Sequence, residues 1–243
     1  AAIRPSESHP KGHRMAYLVR LDLPDLPGTL GAVATALGRA GADILAMDIV
    51  ERSDGIAVDD LVVDLPGGTP DVLITAAESV PGVRVESVRP DPGVAAAHRE
   101  WELVEALAAD PRRALHTLAT LLPEVMRVGW TLVLEVDEDG RCHPIASGGG
   151  APATDGLTAP LHGMRRATRL YGEDDWVPGD WQQMATELAA APVTGNLVVL
   201  VGRPGGPALR DIEVARLAHL AGLATAVAGH ADPRRDDEPA PNG

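Results

Sequence analysis

From Ala16 to Leu23 apolar and polar residues alternate: Tyr17, Val19, Leu21 and Leu23 fall on one side, Arg20 and Asp22 on the other. A period of two is that of a half-buried strand. After Asp25-Leu-Pro-Gly28 the period changes, and Leu30, Val33 and Leu37 recur at helical spacing until Gly41 stops the helix. Ile44 to Glu51 reads as a second strand, Ser53-Asp54-Gly55 as a hairpin turn and Ile56 to Leu65 as a third strand. Thr69-Pro70 then starts a second helix through Val72, Leu73, Ala76 and Val80, and Pro81-Gly82 ends it before a fourth strand, Val83 to Val88. The order β-α-β-β-α-β predicts a ferredoxin-like α+β fold, with both helices on one face of a four-stranded antiparallel sheet. On the third strand Asp60 and Asp64 share a side with Val58 and Val62, which predicts a solvated or partner-covered face. Asp48 and the Asp59-Asp60 pair carry weaker functional claims than the first turn.

Pro90-Asp-Pro-Gly93 marks a boundary with a shift in composition. Beyond it, Trp101, Val104 and Leu107 form one helical stripe, and Asp110-Pro111 opens a second helix with Leu115, Leu118 and Leu122 buried, ending at Pro123. Gly129 to Val136 reads as a strand, Asp137-Glu-Asp-Gly140 as a turn and Arg141 to Ala146 as its hairpin partner, with 148–156 a loop. Helical patterning is expected over Trp181–Ala190, an apolar strand over Leu197–Val201 and a final helix from about Leu209 to Val227. The predicted organisation is a disordered lead at 1–14 (with Met15 a candidate for the natural start), a first domain at 15–90, a linker at 91–98, a second α+β domain at 99–230 and a disordered tail at 231–243.

Composition narrows the function classes. The apolar fraction is 45%, yet Phe is absent and aromatics make up 2%, so the cores must be Leu, Val and Ala packing and no base-stacking surface is expected. The formal net charge is −14, spread over both halves, and an acidic chain without a basic stripe is a poor phosphate-backbone binder. No nucleic-acid or membrane partner is expected. A single cysteine, Cys142, excludes an internal disulfide framework and fits a reducing compartment, and no run reaches membrane-spanning length, so the expected location is cytoplasmic. Richness in Ala, Gly, Pro and Arg, with Lys11 the sole lysine, points to a GC-rich bacterial source.

The first turn carries the clearest chemistry. Glycine lets the backbone bend tightly at a helix start, whose N–H groups attract a negative group such as a carboxylate. Asp25 alongside suits a positive one, and a free amino acid carries both charges. An ordinary strand-to-helix turn capped by Asp25 or Thr29 is the plain alternative. Tyr17 to Pro90 resembles an ACT domain, a small amino-acid-sensing module. The likeness rests on the first strand, Asp25-Leu-Pro-Gly28-Thr-Leu, the segment Arg39-Ala-Gly-Ala-Asp-Ile44 and the Asp54-Gly55 hairpin. It implies side-by-side pairing of two copies, with a ligand where the first helix of one faces the second strand of the other. Carried over, Leu26, Pro27, Gly28, Thr29 and Leu30 line that cleft with main-chain groups, and Asp43 and Ile44 of the neighbouring copy close it. Asp43 stands where many ligand-binding members have Asn; it can take an ammonium group, but beside Asp25 it adds like charge.

The second half resembles a short, divergent GAF-type sensory domain. That likeness rests on the leading helix, the hairpin and the close Leu197-Val-Val-Leu-Val-Gly-Arg-Pro-Gly-Gly-Pro-Ala-Leu209 before an amphipathic helix, and it assigns no ligand residue. Arg203-Pro-Gly-Gly-Pro-Ala208 also meets the loose Arg-x-x-Gly-x-Ala spacing of acetyltransferases. Pro204 and Pro207 remove two N–H donors from such a phosphate cradle, which favours a structural turn. Cys142 and His143, adjacent on a strand, point to opposite faces and cannot act as nucleophile and base. His116 and His219 read as packed or solvent-facing, and Glu173-Asp-Asp175 beside Trp176 as a solvated loop. No catalytic residue, metal site or cofactor is expected. The sequence predicts a non-catalytic regulator that binds an amino acid or similar metabolite at a homodimer seam and relays occupancy to the second domain or to a protein partner. A group-transfer enzyme in the second domain and a pure dimerisation scaffold are the alternatives.

Overall fold

The computed structural model describes residues 16–91 and 96–230, with the side chains of 96–98 and 230 excepted. The lead at 1–14, the tail at 231–243 and most of the expected linker lie outside the described residues. The chain forms two compact units, Ala1–Gly93 and Val94–Gly243. Both are mixed α+β, each built on one antiparallel sheet.

The first unit runs β1 (Ala16–Pro24), α1 (Thr29–Arg39), β2 (Asp43–Ser53), β3 (Ile56–Asp64), α2 (Pro70–Glu78) and β4 (Arg84–Asp91). The strands lie in the order β2-β3-β1-β4, every neighbouring pair antiparallel. Alternation sorts the side chains as the pleat requires. Tyr17, Val19, Leu21 and Leu23 of β1 join Leu61 and Val63 of β3, Val33 and Leu37 of α1, and Leu73 and Ala77 of α2 in one core. The reverse side of the sheet, expected to be either solvated or partner-covered, is closed to solvent along β1 and β3. Leu18, Val58 and Val62 are buried there, and so are Arg20, Asp60 and Asp64. Arg20 grips Asp60 with two parallel bonds, Nε to Oδ1 at 2.7 Å and Nη2 to Oδ2 at 2.9 Å. A forked guanidinium–carboxylate pair keeps both charges hydrogen-bonded, which is the condition for burying them.

The second unit comprises α3 (Ala96–Ala109), a 3-10 turn (Pro111–Arg113), α4 (Ala114–Met126), β5 (Trp130–Val136), β6 (Cys142–Gly149), β7 (Thr168–Leu170), α5 (Gly179–Gln183), β8 (Glu187–Pro192), β9 (Leu197–Arg203) and α6 (Asp211–His230). Its strand order is β6-β5-β9-β8-β7. Helices α3, α4 and α6 cover one face, packing Leu107, Leu118, Leu122, Leu217 and Leu220 on Val133, Val199 and Val201. On the other face Trp130, Leu132, Leu200 and Leu188 meet Leu157, Leu161, Val177 and Trp181. Because β9 is buried on both faces, it reads as a continuous apolar run rather than as an alternation.

Four local expectations are corrected. Helix over Trp181–Ala190 is replaced by the short α5 and strand β8; Ala189, Ala190 and Ala191 are buried between neighbouring strands, and packing overrides alanine's helical preference. The buried stripe of α3 is Leu103 and Leu107, while Trp101 stands 69% exposed. Pro123 does not end α4 but lies inside it, and β6 extends to Gly149, into the stretch read as loop.

That internal proline has a packing consequence. Pro123 has no N–H to offer the Ala119 carbonyl one turn back. Gly148 of β6 lies directly against that carbonyl, and a Cβ at Gly148 would overlap it. By length and composition α6 is apolar enough to cross a membrane, the one such helix among the described residues; here Leu217, Leu220, Ala221 and Ala224 are buried in the core. Replacing Gly148 by Ala is expected to cost on the order of 3 kcal/mol, because backbone rather than a flexible side chain must yield. Urea unfolding of the full chain reads this as a lower midpoint at unchanged slope.

Candidate functional site

The Asp25–Leu30 segment joins the end of β1 to α1. Asp25 N–H donates to the Gly55 carbonyl at 2.9 Å, tying the turn to the β2–β3 hairpin. Gly28 has φ +93°, a left-handed conformation that favours glycine, and it directly precedes α1. Thr29 N–H donates to Leu26 O and Ala32 N–H to Gly28 O, while the first-turn amides of Leu30 and Gly31 have no backbone acceptor among the described residues. Neither Asp25 nor Thr29 caps the helix with its side chain. Leu26, Pro27 and Gly28 are exposed, and Thr29 and Leu30 half-buried. The result is an open helix N-terminus with its positive dipole end toward solvent.

Asp43 and Ile44 are not at this turn. They begin β2, whereas the turn lies beside the strand's other end, where Ser53 pairs with Ile56 and Ile56 with Pro24. The length of β2 therefore separates the two halves of the predicted site within one copy.

A residue given little weight in the sequence is the more informative one. Asp59 lies opposite Leu21 on β1 and Ile49 on β2, so it faces the helix layer, whereas Asp60 faces the other way and holds Arg20. Asp59 is 3% exposed, and its Oδ1 accepts no hydrogen bond. Burial pushes its carboxyl above the ordinary range; Arg52 opposes this, and the negative charges of Asp25 and Asp60 add to it. Arg52 in turn lies 3.8 Å from Asp25. The turn thus offers free amides and one exposed guanidinium, and on β3, within electrostatic reach of Asp25, stands a buried carboxylate short of a partner. The signal was legible: Asp59 falls in the same alternation as Ala57, Leu61 and Val63, all core residues.

In the second unit the residues of the two enzyme-like patterns are placed as follows. Arg203 is buried and its guanidinium donates to the carbonyls of Met126, Arg127 and Pro207 and to Glu213 Oε1. It fastens α4 and the β9–α6 turn to α6, leaving no free guanidinium for a pyrophosphate. Cys142 is buried, its thiol pushed up by burial, while His143 is exposed and lies 3.6 Å from Asp137. His116 and His219 face solvent. Asp175 and Trp176 line a cleft of about 610 Å³ with Glu138, Asp139 and His162, whose Nδ1 lies 3.0 Å from Val136 O. Among the described residues no group of three or more His, Cys, Asp or Glu is placed to hold a metal ion.

No protein-family model matches the chain, and no curated protein matches it. Solved structures do. The GAF domain of an Acinetobacter phosphoenolpyruvate-protein phosphotransferase is 16% identical, over 56% of this chain and 93% of that one, with a TM-score of 0.43. The GAF domain/HD domain protein from Geobacter sulfurreducens is 21% identical, over 52% of this chain and 96% of that one, with a TM-score of 0.40. The chromophore-binding domain of a bacteriophytochrome from R. palustris is 13% identical, over 90% and 95%, also at 0.40. Likenesses at this level do not extend to function.

The raised Asp59 carboxyl has a stability signature. The folded chain holds this proton to higher pH than the unfolded chain does, so stability falls as pH rises above about 4, and the penalty persists at neutrality. Asp59→Asn is therefore expected to be more stable than the parent at pH 7, with the gain shrinking toward pH 4. Urea midpoints across that range check the sign.

Proposed function

We propose that the chain is a two-part regulator whose first unit is an ACT-type module binding a free amino acid. The observation that carries this reading is the buried, under-bonded Asp59 carboxylate on the helix-facing side of the sheet, within electrostatic reach of Asp25 in the turn that precedes α1. The ligand's carboxylate is held by the amides of the Gly28–Gly31 turn, and its ammonium group faces Asp59 and Asp25. Such a zwitterion supplies both missing partners, and a buried carboxylate that costs stability when empty is typical of a binding site rather than of a structural core.

The second copy enters through β2. This edge strand presents Leu45, Met47 and Ile49 to solvent, with Leu26 and Ile56 also exposed nearby. Antiparallel pairing of β2 with its counterpart sets the Asp43–Ile44 end of one copy beside the Arg52–Ser53 end of the other, and so beside its Asp25 turn. That arrangement accounts for the separation of the two half-sites within one chain. Binding across the seam favours the paired state over single copies, which makes occupancy a signal. The second unit, a five-stranded antiparallel sheet with helices on one face and loops on the other, supports a GAF-like sensory reading.

Thermal unfolding of the full chain with each of the twenty amino acids tests this. A ligand at about a hundred times its dissociation constant adds about 2.7 kcal/mol, visible as a shift in Tm. Asp59→Asn is expected to fold and lose the response. Gly28→Asp is expected to lose it too, through a carboxylate at the helix start and a strained φ rather than through crowding, since a Cβ there meets nothing within 4 Å. A full response in both variants rejects the site.

A further inference from the structure

The second unit contains a cationic cleft in an otherwise acidic chain. Arg165, Arg166 and Arg169 lie within five residues, the first two just before the edge strand β7 and the third within it. Together with Tyr171 they line one side of a cleft of about 870 Å³, and Pro192, Val214, Ala215 and Ala218 supply the other. That volume falls in the range of small-molecule sites.

The charges are the unusual part. The chain has 35 acidic against 21 basic residues, and many of its arginines are taken up: Arg20 by Asp60, Arg203 by Glu213, Arg216 by Glu100 and Arg141 by Asp139. The three cleft arginines make no ion pair among the described residues. Asp211, at the start of α6, is the one carboxylate on the cleft wall, which leaves a local excess of positive charge. Low-dielectric walls focus such a field into the concavity. Arg169 is also oriented, its guanidinium carbon 5.8 Å from the centre of the Tyr171 ring.

We infer that this cleft binds a phosphate monoester of a small organic molecule. Guanidinium groups match phosphate oxygens in forked geometry, and near neutrality a monoester carries close to two negative charges, which balances three arginines against one aspartate. The cleft is too large for phosphate alone. The Tyr171 ring and the apolar wall of Pro192, Val214 and Ala218 take the organic body, the small alanines of α6 leaving it room. This inference is independent of the amino-acid reading, which concerns the other unit.

Calorimetric titration of the full chain with inorganic phosphate, glucose 6-phosphate, adenosine 5′-monophosphate and citrate decides it. At least one ester is expected to bind saturably, and more tightly than inorganic phosphate or citrate. The affinity should fall at least tenfold in Arg165→Ala/Arg166→Ala and in Arg169→Ala, all exposed positions whose variants keep the parent Tm. Arg39→Ala/Arg84→Ala, exposed in the other unit, should bind as the parent does. Raising salt from about 50 to about 300 mM should weaken binding several-fold. Absence of saturable binding by either ester overturns the proposal. So does citrate binding as tightly as the esters, or an affinity unchanged when the cleft arginines are removed.

Discussion

With no Phe and 2% aromatic residues, this chain closes its cores by bringing backbones near one another. Interiors pack to crystal-like density, and where side chains are small the space between elements must shrink to match. Gly148 resting on the Ala119 carbonyl, Gly202 lying under the Trp130 ring and Ala189–Ala191 threaded between strands are three expressions of that constraint. Two large rings, Trp130 of β5 and Trp181 of α5, meet with centroids 4.8 Å apart and fill the loop-covered side where aliphatic packing alone would leave a gap.

Close packing also governs the charges. A guanidinium that enters such an interior must bring its partners: Arg20 has Asp60, and Arg203 has three carbonyls and Glu213. These groups fix register and hold elements together. Asp59 and the arginines beside β7 depart from that habit, one by being buried short of partners and the others by sharing a concave wall without carboxylates to match. In a molecule that pairs many of its interior charges, these departures are what the two proposed sites rest on.

The first unit was largely legible because its strands are buried on one face and its turns carry Gly and Pro at the points where the period changes. Reading β1, α1 and the Asp54-Gly55 hairpin needed only alternation and turn chemistry. The second unit was less so. Its central strands are covered on both faces, which erases the period of two, and the alanines of β8 favour helix in isolation. Of the candidate site, the Asp25–Gly28 bend was visible as a motif, but Asp59 was passed over because an acidic pair on a strand suggests solvent until the parity with Leu61 is followed. Arg165, Arg166 and Arg169 carry no periodic signal at all; only the fold sets them against α6.

The long edge strand β2 has one further property. Its ladder with β3 slips between Ile44 and Ala46 and again between Ile49 and Glu51. Each irregularity adds local twist, so the free border coils away from the flat, repeating geometry that amyloid-like stacking requires. On the opposite border, β4 carries Arg84, Glu86, Arg89 and Pro90, a poor template for extension. Bulges on one border and charges with a proline on the other are devices by which open sheet edges resist open-ended pairing.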